Sequence, residues 1–253
     1  MKIHLFTLCW NESKVVPFVA DYWKNAGIDK VTVFNNGSTD SSVELLSQYP
    51  FVEVVPGLDT DCVDDRGYLT IKDNCWKGSE ADWVIVCDFD EAPFAPYGTL
   101  KEVLARYDAQ GFNLIQARCY EVVRKEFPEY DETKLLHQLD GSWLGDPHSS
   151  MHKMLCFKPK DVYEVNYTIG AHGCRPIGTN LKVAYMTEDY VTIHCKHLGW
   201  DYVIDRAKTL DSRLTDEHRQ KHWAFHYANY VRDYKTEYDE RMRNAVEGKT
   251  KWR

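Results

Sequence analysis

Trp83-Val84-Ile85-Val86-Cys87-Asp88-Phe89-Asp90-Glu91 is an apolar run of strand length that ends in three carboxylates separated by one aromatic residue. An unbroken run of this kind reads as a buried strand, and carboxylates just past its end sit where open α/β sheets keep their ligand crevice. Strand alternation sends Asp88 and Asp90 to the same side, so two negative charges converge on one small volume. Such a pair wants a cation. Hard oxygen ligands favour Mg²⁺ or Mn²⁺, ions that bridge protein carboxylates to the phosphates of a nucleotide. For an isolated D-x-D the plainer reading is a strand followed by an acidic, solvated turn, and the rest of the chain decides between the two.

Upstream of that run, strand-like and helix-like stretches alternate. Residues 3–8 predict a strand, and Asn11 or Ser13 then caps a helix whose apolar residues Val15, Val16, Phe18, Val19, Tyr22 and Trp23 recur at helical spacing until Gly27 ends it. Residues 31–34 form a second strand that runs into Asn35-Asn36-Gly37-Ser38-Thr39-Asp40, a cluster of turn formers before a short helix carrying Val43, Leu45 and Leu46. A third strand covers 51–55, the acidic loop 59–65 leads into a helix over 66–77, and 83–87 is the fourth strand. This alternation implies a largely parallel sheet with helices on both faces. Beyond Glu91 the rhythm loosens. Residues 99–107 read as helix, 112–120, 154–157 and 191–194 as strands, 125–150 as polar and turn-rich, and 201–214 and 217–243 as two closing helices.

At 253 residues the chain is long enough for one α/β domain with elaborations. With 39 acidic against 31 basic side chains the net charge is −8, which argues against a nucleic-acid partner bound by phosphate neutralisation. The eight cysteines stand singly, without a C-x-x-C pair, and read as small buried hydrophobes in a reducing compartment. The apolar N-terminus is too short for a signal h-region and no window reaches membrane-span length. A soluble, cytoplasmic protein is the expectation, with peripheral association to membrane-bound acceptors left open.

Leu8-Cys9-Trp10-Asn11-Glu12, Phe34-Asn35-Asn36-Gly37-Ser38-Thr39-Asp40 and Val86-Cys87-Asp88-Phe89-Asp90-Glu91, in that order, resemble the nucleotide-sugar half of GT-A glycosyltransferases, in particular the family 2-like group whose metal motif reads D-x-D-E. Trp143-Leu144-Gly145, Lys153, Phe157-Lys158-Pro159, Gly170-Ala171-His172 and Ile193-His194 are weaker matches. The resemblance implies one GT-A domain over residues 1–253: a Rossmann-like, mostly parallel central sheet flanked by helices. Residues 1–98 would be its nucleotide-sugar-binding half, 99–200 its acceptor side and 201–253 a helical extension. It implies a metal-dependent transferase that moves a sugar from a nucleotide-sugar donor, a UDP-sugar, to a hydroxyl of a glycan or other acceptor, with inversion.

Carried onto this chain, the resemblance places Thr7, Asn11, Glu12, Asn36 and Asp40 around the nucleoside, and Asp65, Arg66, Lys72 and Asp88 as further donor contacts. It assigns Mn²⁺ or Mg²⁺ to Asp88 and Asp90 with a late histidine, His194, ahead of its rivals His172 and His197. Inversion needs a base for the acceptor's proton. Asp146 and Asp189 compete for that role, and Glu91 stands beside the metal pair. His218, His222 and His226, spaced by four, fall on one face of the closing helix, a polar stripe rather than a metal site since no H-E-x-x-H accompanies them. Trp143, Trp200 and Trp223 are sugar-stacking candidates whose commoner role is core packing. Two other readings stand beside this one. Nucleotidyl transfer or phosphohydrolysis on a similar sheet is disfavoured because no Gly-rich phosphate loop with a following Lys comes after the first strand, and a non-catalytic carbohydrate-binding domain would keep the fold without turnover.

Overall fold

Four parallel strands carry the first half of the chain: β1 (Ile3–Cys9), β2 (Lys30–Asn35), β3 (Val52–Pro56) and β4 (Trp83–Val86), connected through α1 (Val16–Asn25), α2 (Ser42–Leu46) and α3 (Asp65–Asn74). Their order in the sheet is β3-β2-β1-β4, every pairing parallel. The chain steps outward from β1 to β3 and then returns to the other flank of β1, so the C-terminal ends of β1 and β4 border a topological switch point, where such sheets open a crevice. The computed structural model describes residues 1–123, 129–130, 141–146, 152–224 and 226–250, with 141–146 and 247–250 described in backbone only.

The second half adds β5 (Glu91–Phe94), α4 (Leu100–Ala109), β6 (Leu114–Val123), β7 (Gly141–Asp146), β8 (Cys156–Phe157), β9 (Val162–Glu164), β10 (Ile177–Gly178), β11 (Val183–His194), α5 (Trp200–Ser212), α6 (Asp216–Gln220), α7 (His226–Asn244) and β12 (Val246–Thr250). β8 is antiparallel between β4 and β6, β7 and β12 extend the sheet beyond β6, and β11 lies parallel to β6 and antiparallel to β5. β9 and β10 form a separate two-stranded sheet. The register aligns Asp146, Glu121, His194 and Glu91 in one row across β7, β6, β11 and β5. The α/β architecture with a helix-flanked sheet is the one expected.

Several local expectations are corrected. α1 starts at Val16 with Val15 at the cap position and no side-chain cap, because Asn11 and the residues after it are engaged with the neighbouring loop. β7 lies inside the stretch read as polar turns, where Gly, Ser and Asp gave no strand signal but pairing with β6 and β12 supplies the backbone partners. β11 begins at Val183 rather than Val191, with register shifts that hide its alternation. The second closing helix is two helices: His222 and Ala224 have φ of 54° and 55°, so the helix cannot run through. His218 therefore belongs to α6, His222 to the break and His226 to α7, not to one face.

Alternation along the central strands sorts the core into two layers. Ile3, Leu5, Cys9, Trp83 and Ile85 pack with α1, α4, α5 and α7 on one side. Phe6, Val84, Val86 and Leu114 pack with Trp76, Phe157 and Tyr167 on the other. Burying each of these large side chains contributes about 1.5–3 kcal/mol. Among the described residues no helix is long and apolar enough to cross a membrane.

Two outcomes follow from this packing. Thr99 caps α4 in a reciprocal pair with Glu102, so Thr99→Ala will lower unfolding free energy by about 1 kcal/mol in denaturant titrations. His4 is wedged between Thr32 (2.8 Å) and Ser79 (3.2 Å), and burial, then Lys30, lowers its pKa from the ordinary 6.5 to about 4. Between those two pH values the unfolded chain binds a proton the folded chain refuses, so stability falls as pH drops from about 6.5 towards 4. His4→Gln will flatten that slope, read as denaturation midpoints at pH 7 and pH 5.

Candidate active site

The turn after β4 is built around Phe89, whose ring is buried at 5.5 Å, edge-on, against Trp23. That anchor leaves Asp88 and Asp90 directed to the crevice side. Glu91 closes the turn by accepting the Asp88 backbone N–H at 3.1 Å. Lys153 donates to Asp88 Oδ2 (2.9 Å) and Glu91 Oε1 (2.6 Å), while Lys72 donates to Asp88 Oδ1. Both lysine side chains are almost wholly buried, at 6% exposed for Lys72 and 3% for Lys153. Burial opposes the charge on Asp88, but Lys153 and Lys72 hold its carboxyl far below the usual range. Asp88 and Glu91 in turn keep Lys153 charged in spite of its burial. Each Asp88 oxygen is therefore met by an ammonium group. Asp88, expected as a metal ligand, is paired in this structure with Lys72 and Lys153.

Asp90 faces different partners. Its Oδ2 lies 3.5 Å from His194 Nε2 and 4.0 Å from Arg206 Nη2. On its other side His194 presents Nδ1 to Glu121 Oε1 at 3.2 Å. Burial alone would keep this imidazole neutral, yet Asp90 and Glu121 raise its pKa to about 10. His194 and Arg206 hold Asp90 well below the usual carboxylate range, against its own burial. Arg206, reaching in from α5, grips both oxygens of the buried Glu12 at 2.8 and 2.7 Å.

Mn²⁺ or Mg²⁺ is the ion expected at this turn. His194 faces a carboxylate at each ring nitrogen, Glu121 at Nδ1 and Asp90 at Nε2, so in this arrangement both nitrogens stand as donors. Among the described residues no group of three or more His, Cys, Asp or Glu could hold a metal ion.

The loops expected around the nucleoside meet across the ends of β1 and β2. Asn11 Oδ1 accepts from Thr39 N at 2.7 Å, Asp40 Oδ2 from Ser13 N at 3.0 Å, and Ser42 Oγ from Glu12 N at 2.8 Å. Asn36, 4% exposed, accepts from Leu58 N at 2.8 Å. Gly57 lies so near that a Cβ there would collide with Asn36 Oδ1. These side chains thus build the crevice wall. Thr7 lies deeper in β1, and its buried hydroxyl has no hydrogen-bond partner among the described residues.

Other expected residues lie elsewhere. Asp189 is bound by Arg106 Nη2 (2.9 Å) and Tyr107 on α4, away from the carboxylate cluster. Arg66 is exposed and pairs with Glu217 at 2.9 Å, and Asp65 pairs with His218 at 3.2 Å. Glu91 is 1% exposed and fully engaged with Lys153 and the turn, which removes it as a base. His172 is exposed, and His197 is buried with Nδ1 2.6 Å from Tyr234 Oη. Trp200, an exposed residue, packs on Tyr234, and the half-buried Trp223 packs on His218. The backbone of Asp146 pairs opposite Glu121; its side chain, like that of Trp143, lies outside the described residues.

Three residues of the cluster were not expected from the sequence in these roles: Lys153, Arg206 and Glu121. Glu121 left a trace, since the inward positions of β6 run Ala117, Cys119, Glu121, Val123, a charge where the alternation calls for an apolar side chain. Arg206 left none, being one charged residue among several on α5.

Comparison with solved structures finds S. aureus TarS 1-349 at 13% identity, covering 91% of this chain and 71% of that one, with a TM-score of 0.47. A longer S. aureus TarS structure matches at 12% identity and a TM-score of 0.47, covering 92% of this chain and 44% of that one. The M. tuberculosis glucosyl-3-phosphoglycerate synthase complex with Mn²⁺, UDP and glucosyl-3-phosphoglycerate matches at 15% identity and a TM-score of 0.31, over 47% of this chain and 44% of that one. No curated protein matches the chain. The family model for glycosyltransferase family 92 matches residues 6–244, a span that takes in the end of β1, the acidic turn, His194 and the three closing helices, and the chain belongs to that family.

Proposed function

We propose that this glycosyltransferase domain moves a sugar from a UDP-sugar to a hydroxyl of a glycan acceptor, with inversion, and that it uses Mn²⁺ or Mg²⁺ at the Asp88–Asp90 turn beside His194. The observation that carries this reading is the line Glu121–His194–Asp90 at the switch point of the sheet, flanked by two buried lysines. The ion, when bound, neutralises charge growing on the leaving diphosphate. Lys72 and Lys153, hydrogen-bonded to Asp88, retain N–H donors for phosphate oxygens. Preorganised charge of this kind stabilises the transition state without needing to reorient. Arg206, clamped by Glu12, holds α5 against the same crevice. Asp146 is the proposed base, its backbone ending the row that contains Glu121 and His194, since Asp189 is committed to Arg106 and Tyr107. It would take the acceptor hydroxyl's proton as that oxygen attacks opposite the departing diphosphate.

Asp90→Asn and His194→Gln should each lower metal-dependent UDP release from a panel of UDP-sugars by on the order of 10²-fold or more. Asp189→Asn should retain turnover while losing the α4 ion pair. Unchanged UDP release from Asp90→Asn would remove the metal reading, and activity lost in Asp189→Asn but kept in Asp146→Asn would reverse the choice of base.

A further inference from the structure

The loop between β9 and β10, residues 165–176, carries the Gly170-Ala171-His172 stretch, and its short turn Ile169–Ala171 lies against α3. Its backbone is tightly specified. Asn166 and Ala171 hold φ of 56° and 55°, a left-handed conformation that L side chains keep only where the surroundings impose it. Hydrogen bonds within the loop impose it here. Thr168 N donates to Gly173 O at 2.8 Å, Arg175 N to Val165 O at 2.9 Å, and Asn166 Nδ2 to Arg175 O at 3.1 Å.

What the loop delivers is Tyr167, buried in the second core layer. A phenylalanine would fill that space without needing a partner, whereas a buried phenol must find one. Tyr167 Oη donates to the Met154 carbonyl at 2.9 Å, and the Tyr167 backbone N–H donates to Asp73 Oδ1 at 3.0 Å. Met154 follows Lys153 in the chain, and Asp73 follows Lys72. One residue thus holds both segments whose lysines flank Asp88. On the other side of Lys153, the His152 carbonyl accepts from Gln116 Nε2 and His152 Nδ1 from Cys119 N, each at 3.0 Å. A lysine head group ends a flexible four-carbon stem, so its place depends on where its backbone is fixed.

We propose that Tyr167 is a positioning residue for the donor's diphosphate: by joining α3 to the segment before β8, it sets the spacing at which Lys72 and Lys153 present N–H groups to phosphate oxygens. The strained loop is the means of holding that phenol in place. Tyr167 acts only through the two lysines, and the inference rests on their assignment above as phosphate donors.

Its test is equilibrium binding of UDP and of uridine to the full chain at one fixed Mg²⁺ concentration, by ligand-observed NMR, with circular dichroism to confirm folding. The ratio of the two affinities isolates what the phosphates contribute, which a general loosening of the fold would not change selectively. Tyr167→Phe, which removes one oxygen, should weaken UDP binding about 2–10-fold and leave uridine binding unchanged. Asp73→Ala should act in the same direction, and Asp73→Asn, which keeps an acceptor oxygen, should regain UDP affinity. A wild-type UDP-to-uridine ratio in both folded Tyr167→Phe and Asp73→Ala overturns the proposal, as does an equal loss of both ligands. The lysine assignment survives that result if Lys72→Met and Lys153→Met have lowered the ratio. An unchanged ratio in both lysine variants, or UDP bound no better than uridine by the wild type, overturns both.

Discussion

A carboxylate withdrawn from water must be met by a positive charge, and this single constraint organises the crevice at the ends of β1 and β4. Glu12, Glu91 and Glu121 are buried here, Asp90 is 15% exposed and Asp88 39%, and each has a cation in contact or a cation shared with a neighbour. The cations arrive from distant parts of the chain: Lys72 from α3, Lys153 just before β8, His194 from β11, Arg206 from α5 and Arg241 from α7. Charge compensation here therefore acts as tertiary glue. The helices that close the chain are tied to the acidic turn through Arg206 and Glu121 as well as through apolar packing.

The same constraint separates two aspartates that look equivalent in a D-x-D. Asp88 has both oxygens against lysines that are themselves almost wholly buried. Asp90 faces an imidazole and, at greater distance, a guanidinium, with 15% of its side chain exposed against 39% for Asp88. Burying an ammonium group costs several kcal/mol unless a carboxylate meets it.

Rigidity comes from the wall as much as from the charges. The loops after β1 and β2 exchange backbone and side-chain hydrogen bonds through Asn11, Asp40 and Ser42, with a positive φ at both Asn11 and Gly37. Such loops are expensive to order, and cross-loop hydrogen bonds offset that entropy. A crevice whose edges are already braced binds a ligand without first having to be organised.

The parallel strands, the Trp83–Val86 run and the acidic turn were legible in the sequence, because apolar length, period-two alternation and turn-forming residues are local properties that packing reinforces. The pairing of Asp90 with His194 was legible in outline, from an apolar strand ending in a histidine. What the chain alone did not disclose was the commitment of Asp88 to Lys72 and Lys153, the removal of Asp189 to α4, the break that separates His218 from His226, and the reach of Arg206 and Arg241 into the crevice. A lysine or arginine carries the same local signature whether it is solvated or buried against a carboxylate. Only the three-dimensional path of the chain decides which charges leave water together, and with them which carboxylate is free to bind.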